Sequence, residues 1–133
     1  MPYGDGTLST MLASKFKQVV GTDASGKYLA LAKLTPPNAE LHEALIKDFA
    51  TTERFNTIKV IKILEHVVDS IQVLRKAVRS LIEEGVLLIH VPNAIAINRH
   101  LAVLLGTLTE CEELSPFDIH VVGYHRLYSP ATL

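Results

Sequence analysis

Residues 55–93 read FNTIKVIKILEHVVDSIQVLRKAVRSLIEEGVLLIHVPN, and this stretch decides the fold class. Thr57 to Leu64 alternates and is rich in Ile and Val, which predicts a strand. Val67, Ile71, Leu74, Val78 and Leu81 then keep helical spacing, with Asp69 near the start and Glu84-Gly85 closing the helix. Val86 to Val91 (VLLIHV) is nearly all apolar, the pattern of a strand covered on both faces, and Pro92-Asn93 stops it.

Upstream the same alternation continues. Leu8, Met11, Leu12 and Phe16 form one apolar helical stripe entered from the turn Gly4-Asp5-Gly6. Gln18 to Asp23 is a compact strand ending on an acid. Ser25 is placed to cap a second helix through Leu31, which stops before Thr35-Pro36-Pro37-Asn38. Residues 39–46 are a weaker strand candidate, followed by a polar loop from Asp48 to Asn56. Downstream, a helix is expected from Ala94 to Leu108, and beyond Thr109 the chain is rich in turn-formers. Helices and strands alternate throughout, so the expected class is α/β with a mostly parallel sheet.

Composition sets the outer bounds. A chain of 133 residues with 48% hydrophobic and 20% charged content is one domain with an adequate core. A net charge of −1, with its thirteen Lys and Arg spread along the chain, gives no footprint for nucleic acid or an anionic membrane. The one cysteine, Cys111, has no internal disulfide partner, and no apolar run nears the ~20 residues of a membrane span. A cytoplasmic domain is the expectation.

The turn Gly4-Asp5-Gly6 opening a helix, with an acid ending the next strand, has the geometry of a nucleotide-cofactor site. Glycines admit close approach, a helix N-terminus offers free N–H groups, and the acid accepts from ribose hydroxyls. A Gly-x-Gly at a turn is also, more commonly, just a turn.

Four segments in order carry a resemblance. PYGDGTLSTMLA resembles the end of an acid-x-Gly-x-Gly-x-Gly motif, VVGTDAS a second strand with its ribose-binding acid, residues 55–93 a fourth strand, Leu-Glu-His-Val turn, helix and fifth strand, and YHRLYSPATL the approach to a later helix. Together they are similar to the class I S-adenosylmethionine-dependent methyltransferase family of small-molecule type. The resemblance implies a three-layer Rossmann-like fold with a mostly parallel sheet. It also implies S-adenosylmethionine as cofactor: Gly4, Asp5 and Gly6 at its methionine end, Asp23 with Ala24 on the ribose, Asp48 and Phe49 at the adenine, and backbone at Ile61. His66 is the candidate general base; the alternative is that Glu65 and His66 only tie the turn to the following helix. His90 reads as a packed core histidine. His100, His120, His125 and Cys111 fit no compact ligand spacing, so no metal is expected. Tyr124, His125, Arg126 and Tyr128 would border either the substrate mouth or an oligomer contact.

Three departures from the family pattern matter. Its first strand would precede Pro2, and its last strands would follow Leu133, so the sheet is expected to be incomplete. Lys59 and Lys62 also fall in the fourth strand, where a doubly covered strand should not carry an ammonium. Lysines do blunt exposed strand edges, so a homo-oligomer joined through two open edges is expected. Two functions stay open on these residues: methyl transfer to a small molecule, or an inactive methyltransferase-like remnant acting as a binding or oligomerisation module.

Overall fold

The computed structural model describes residues 7–26 and 36–133. Gly4, Asp5 and Gly6 lie outside the described residues, as does the helix expected after Gly26.

The order is α1 (Thr7–Ala13), β1 (Val19–Asp23), β2 (Ala39–Glu43), β3 (Phe55–Ile61), a 3-10 turn (Leu64–His66), α2 (Ser70–Arg79), β4 (Leu81–His90), α3 (Ile97–Leu104) and a π-helical turn (Asp118–Val122). Among the described residues the four strands pair in parallel, but in two separate ladders: β1 with β2, and β3 with β4. The expected α/β class is there, divided into two half-sheets.

The core sits in the second half. Val60, Leu64, Val73 and Tyr128 form a buried cluster with Ile58, Leu87, Ile89, Leu74 and Ala77 packed against it. Each such aliphatic side chain contributes about 1.5–3 kcal/mol when fully buried. Along α2 the buried face is set by Val73, Leu74 and Ala77, whereas Ile71 and Val78 of the expected stripe are exposed; Asp69 caps the helix by accepting from the Gln72 N–H at 2.8 Å.

The helix ends sooner than its periodicity suggested. Ser80 closes α2, and Leu81 to Gly85 already belong to β4. While β3 advances from Phe55 to Thr57, β4 advances from Leu81 to Val86, an irregularity that takes up the extra chain. At Gly85 an added Cβ would stand 2.9 Å from Leu81 Cδ2 and 3.0 Å from the Ile82 carbonyl, so a larger residue there crowds this part of β4.

Four expectations change here. β4 is covered on one face, not two: Leu87 and Ile89 meet the core, whereas Val86 and Leu88 are 51% and 45% exposed. His90, on that outward face, is exposed and not packed in the core. Lys62 is not in the strand at all; it follows β3 with φ of 49°, its N–H donating to the His90 carbonyl at 2.8 Å. Lys59 does lie in β3, half-buried. The helix α3 is shorter than read, because Gly106 turns left-handed at φ of 71° and ends it in the manner of a glycine C-cap. Among the described residues no helix is long and apolar enough to cross a membrane.

Candidate functional site

In parallel sheets ligands gather where strands end; of the described site residues Asp23 and Ile61 end strands, while Asp48 and Phe49 lie in the turn beyond β2. Asp23 ends β1 as a buried acid, and its Oδ1 accepts from the Ser25 N–H at 2.9 Å, which fixes the turn through exposed Ala24. After β2 the backbone turns at Leu45, whose carbonyl accepts from both the Asp48 and Phe49 N–H groups. Lys76 of α2 anchors this turn, its ammonium donating to the Lys47 carbonyl at 2.7 Å. Asp48 is exposed, and Phe49 packs at a tilt on His42, ring centroids 5.3 Å apart. Ile61 ends β3, half-buried.

These residues do not form one enclosed pocket. A cleft of about 1210 Å³ runs between the half-sheets, with Thr22, Phe49 and Val60 on its lining; Asp23, Asp48 and Ile61 are not among the lining residues. The described residues offer groups of the kinds a nucleoside takes, a buried acid at the end of β1 and an aromatic with an exposed acid in the turn after β2. The donor set fits S-adenosylmethionine in chemistry.

The turn after β3 is the more organised region. Leu64 and Glu65 are fully buried while His66 is exposed. The chain's last segment lies across them. The His125 N–H donates to the Glu65 carbonyl at 2.7 Å, the Tyr128 hydroxyl to the Leu64 carbonyl at 3.3 Å, and the Arg126 guanidinium to the Val68 carbonyl. Tyr124 stands edge-on to His66, centroids 5.1 Å apart. Nδ1 of His66 lies 3.1 Å from the Gly123 carbonyl oxygen. A carbonyl only accepts, so this contact places the ring proton on Nδ1 and leaves the Nε2 lone pair available.

Two features escaped the sequence. Both carboxylate oxygens of Glu65 are buried with no hydrogen-bond partner among the described residues. Burial pushes its carboxyl pKa up, against the opposing pull of its own backbone N–H, His66, Lys62 and His90. The second is a buried ion pair that sets the path of the covering segment. Arg99 of α3 meets Asp118 at 3.2 Å, each side chain 11% exposed, and also donates to the Cys111 and Glu113 carbonyls. Burial works against the Asp118 carboxylate, but the Ser115 hydroxyl and N–H, with Arg99, outweigh it and hold its pKa below the ordinary value. An Arg and an Asp nineteen residues apart in a turn-rich region leave no periodic mark. Among the described residues no group of three or more His, Cys, Asp or Glu is placed to hold a metal ion.

Comparison with known proteins now bears on this geometry. The methyltransferase domain family model matches residues 2–89. The chain belongs to that family. No curated protein matches this methyltransferase-domain chain. Among solved structures it is similar to coclaurine N-methyltransferase bound to N-methylheliamine and SAH, at 26% identity and a TM-score of 0.57, over 68% of this chain and 29% of that one. It is similar in fold to the N-methyltransferase NodS from Bradyrhizobium japonicum WM9, at 20% identity and a TM-score of 0.64, over 74% of this chain and 58% of that one. It is also similar in fold to DhpI in a SAM-HEP complex, at 18% identity and a TM-score of 0.63, over 98% of this chain and 62% of that one. The methyltransferase-domain chain therefore has the Rossmann-like α/β fold in incomplete form, and spans less than two-thirds of each of these three proteins.

Proposed function

We propose that this domain binds S-adenosylmethionine and serves the transfer of its methyl group to a small molecule. The observation that carries the reading is the buried acid Asp23 at the end of β1 within a chain of this family. Solved relatives hold SAH or SAM, which supports the same cofactor here. When bound, the cofactor supplies a sulfonium methyl, open to direct displacement by a nucleophile. Such a step needs alignment above all, with effective molarity as the main source of rate. Asp23 would hold the ribose hydroxyls with Ala24 beside it, Asp48 and Phe49 the adenine, Ile61 the cofactor through its backbone, and Gly4, Asp5 and Gly6 the methionine end. His66 would take the acceptor's proton at Nε2, its tautomer held by the Gly123 carbonyl.

Calorimetric titration with S-adenosylhomocysteine tests the binding. Heat should be seen with the parent chain and vanish in Asp23→Ala; no heat at high micromolar ligand would remove the enzyme reading and leave the inactive remnant. His66→Gln should keep the affinity and lose turnover of an amine or hydroxyl acceptor.

The reading includes self-association and a cytoplasmic location. Ile97, Leu101, Leu104 and Leu105 along and just after α3 are all more than half exposed, which supports that helix, rather than the strand edges, as the contact. A monomeric mass at micromolar concentration in light scattering would exclude the oligomer. A reducing compartment fits the lone thiol of Cys111.

A further inference from the structure

The carboxyl of Glu65 has no part in the function proposed above, yet it is the group at the turn after β3 that is hardest to bury. Glu65 is fully buried, and among the described residues neither of its carboxylate oxygens has a hydrogen-bond partner. An ionised carboxylate without donors is far costlier to bury than the neutral acid, so such a group ordinarily takes up a proton. The groups that face it do not relieve that cost. Burial pushes its pKa up; its own backbone N–H, then His66 and Lys62 on its turn and His90 from β4, draw the other way and are outweighed. Tyr124 of the covering segment meets it as a like charge: burial first, and then the Glu65 and Asp118 carboxylates, push the tyrosine hydroxyl up. The remaining charged groups around it are engaged elsewhere or exposed. Asp69 caps α2, Arg126 holds the Val68 carbonyl and the Ser70 hydroxyl, Asp118 pairs with Arg99, and His125 is exposed. The closed arrangement is that of the protonated acid.

The covering segment shuts on this same residue. The His125 N–H donates to the Glu65 carbonyl at 2.7 Å, while the Tyr128 hydroxyl and the Arg126 guanidinium take the Leu64 and Val68 carbonyls to either side. The Gly123 carbonyl meets His66 Nδ1 at 3.1 Å. The two ends of the segment differ in anchorage. Tyr128 belongs to the core, and its carbonyl accepts from the Ala94 N–H at 2.8 Å. Gly123, at the other end, is exposed and left-handed at φ of 77°, a backbone state that glycine enters and leaves without steric cost. Between these ends the segment is held by hydrogen bonds, each of modest net worth beside the desolvation of a bare carboxylate.

We propose that Glu65 is a proton-operated latch on residues 123–128: the neutral acid keeps the segment closed on the turn, and ionisation lifts it about Gly123, admitting water to the carboxylate and withdrawing the Gly123 carbonyl from His66. Its effect on catalysis rests on His66 as the base; the latch itself does not. Amide hydrogen exchange on the full chain, followed by NMR and corrected at each pH for the rate of unstructured peptide, reads the opening. The His125 amide reports the segment and the amides of β3 report the core. The closed state holds the Glu65 proton longer than the open one, so closure is complete below the ordinary carboxylate value, ~4.3, and is lost as pH rises through the raised native one. Opening at His125 should grow by up to about tenfold per pH unit across that window, and by at least about tenfold in all. The ring nitrogen shifts of His66 should follow the same curve. Glu65→Gln should abolish the slope and leave the segment closed, and so should Glu65→Met, which decides the matter if the first variant fails to fold. Three results would each overturn the proposal. Opening at His125 could be independent of pH; the slope could survive in both variants, which would assign it to a histidine; or His125 and the β3 amides could open equally throughout, which would make the loss global. No cofactor enters these measurements, so the latch and the S-adenosylmethionine reading fail separately.

Discussion

Replacing Asp118 by Asn should loosen the segment that covers the turn after β3. The substitution keeps the shape of the side chain but removes the charge that faces Arg99 at 3.2 Å, with both side chains about nine-tenths covered. The guanidinium keeps the Cys111 and Glu113 carbonyls and loses its counter-charge. Breaking a buried pair from one side costs about 3–5 kcal/mol, against 0–1 kcal/mol for a pair in open solvent. The 11% exposure and the surviving carbonyl bonds argue for the lower end, about 3 kcal/mol. Since each 1.4 kcal/mol is a tenfold change, opening of the covering segment should rise by on the order of a hundredfold. Urea unfolding followed by circular dichroism reads the global part, and hydrogen exchange at Tyr124 and His125 the local part. The double-mutant cycle with Arg99→Ala should return a coupling above about 1 kcal/mol. A loss under 1 kcal/mol with additive single effects would refute the reasoning, because the pair would then behave as if solvated.

Three further outcomes follow from named contacts. Glu65→Gln should stabilise the chain at neutral pH and flatten one slope of its stability profile. A native carboxyl pKa raised by burial means the folded state holds its proton longer; stability then falls as pH rises from the ordinary carboxylate value, ~4.3, to the raised native one. Urea midpoints measured across that range check it, and an unchanged slope in the variant counts against it. Asp69→Ala removes the cap on α2 and should cost about 1 kcal/mol by chemical denaturation. Gly85→Ala sets two effects against each other: a gain of about 0.4–1 kcal/mol from a stiffer unfolded chain, and an overpacking cost of about 1–3 kcal/mol from contacts near 3.0 Å. The clash should win, and a raised Tm would show that the β4 irregularity can relax.

The fold was legible wherever one period ran without interruption. β1, β3 and the capped helix α2 stand within a few residues of their expected places, although the face α2 buries is that of Val73, Leu74 and Ala77 and not the stripe through Ile71 and Val78. The end of α2 was misplaced because Leu81 fits the helical stripe and the strand equally well; the register irregularity before Val86 decided it, and that is a property of two strands together. The second covered face of β4 failed for a related reason. An apolar run records what could be buried, whereas Val86 and Leu88 show what the described neighbours actually reach. At the site, Asp23 was readable as the acid that ends β1, and Asp48 as a residue of the loop after the next strand. The burial of Glu65 was not, because nothing local to Leu-Glu-His-Val reveals that Tyr124 to Tyr128 will pack over it.

The division of the sheet has a consequence for how the chain comes apart. Residues of the buried cluster, from Val60 through Tyr128, all belong to the portion that contains β3, α2 and β4, and Tyr128 closes it by accepting the Ala94 N–H at 2.8 Å. No strand ladder among the described residues carries that order across to β1 and β2. Cooperativity needs shared contacts, and here they are concentrated on one side. The chain should therefore lose structure in two steps, with the β1–β2 ladder exchanging its amides first and the β3–β4 unit persisting. A molecule built this way has a part that is folded on its own account and a part whose order depends on what lies alongside it.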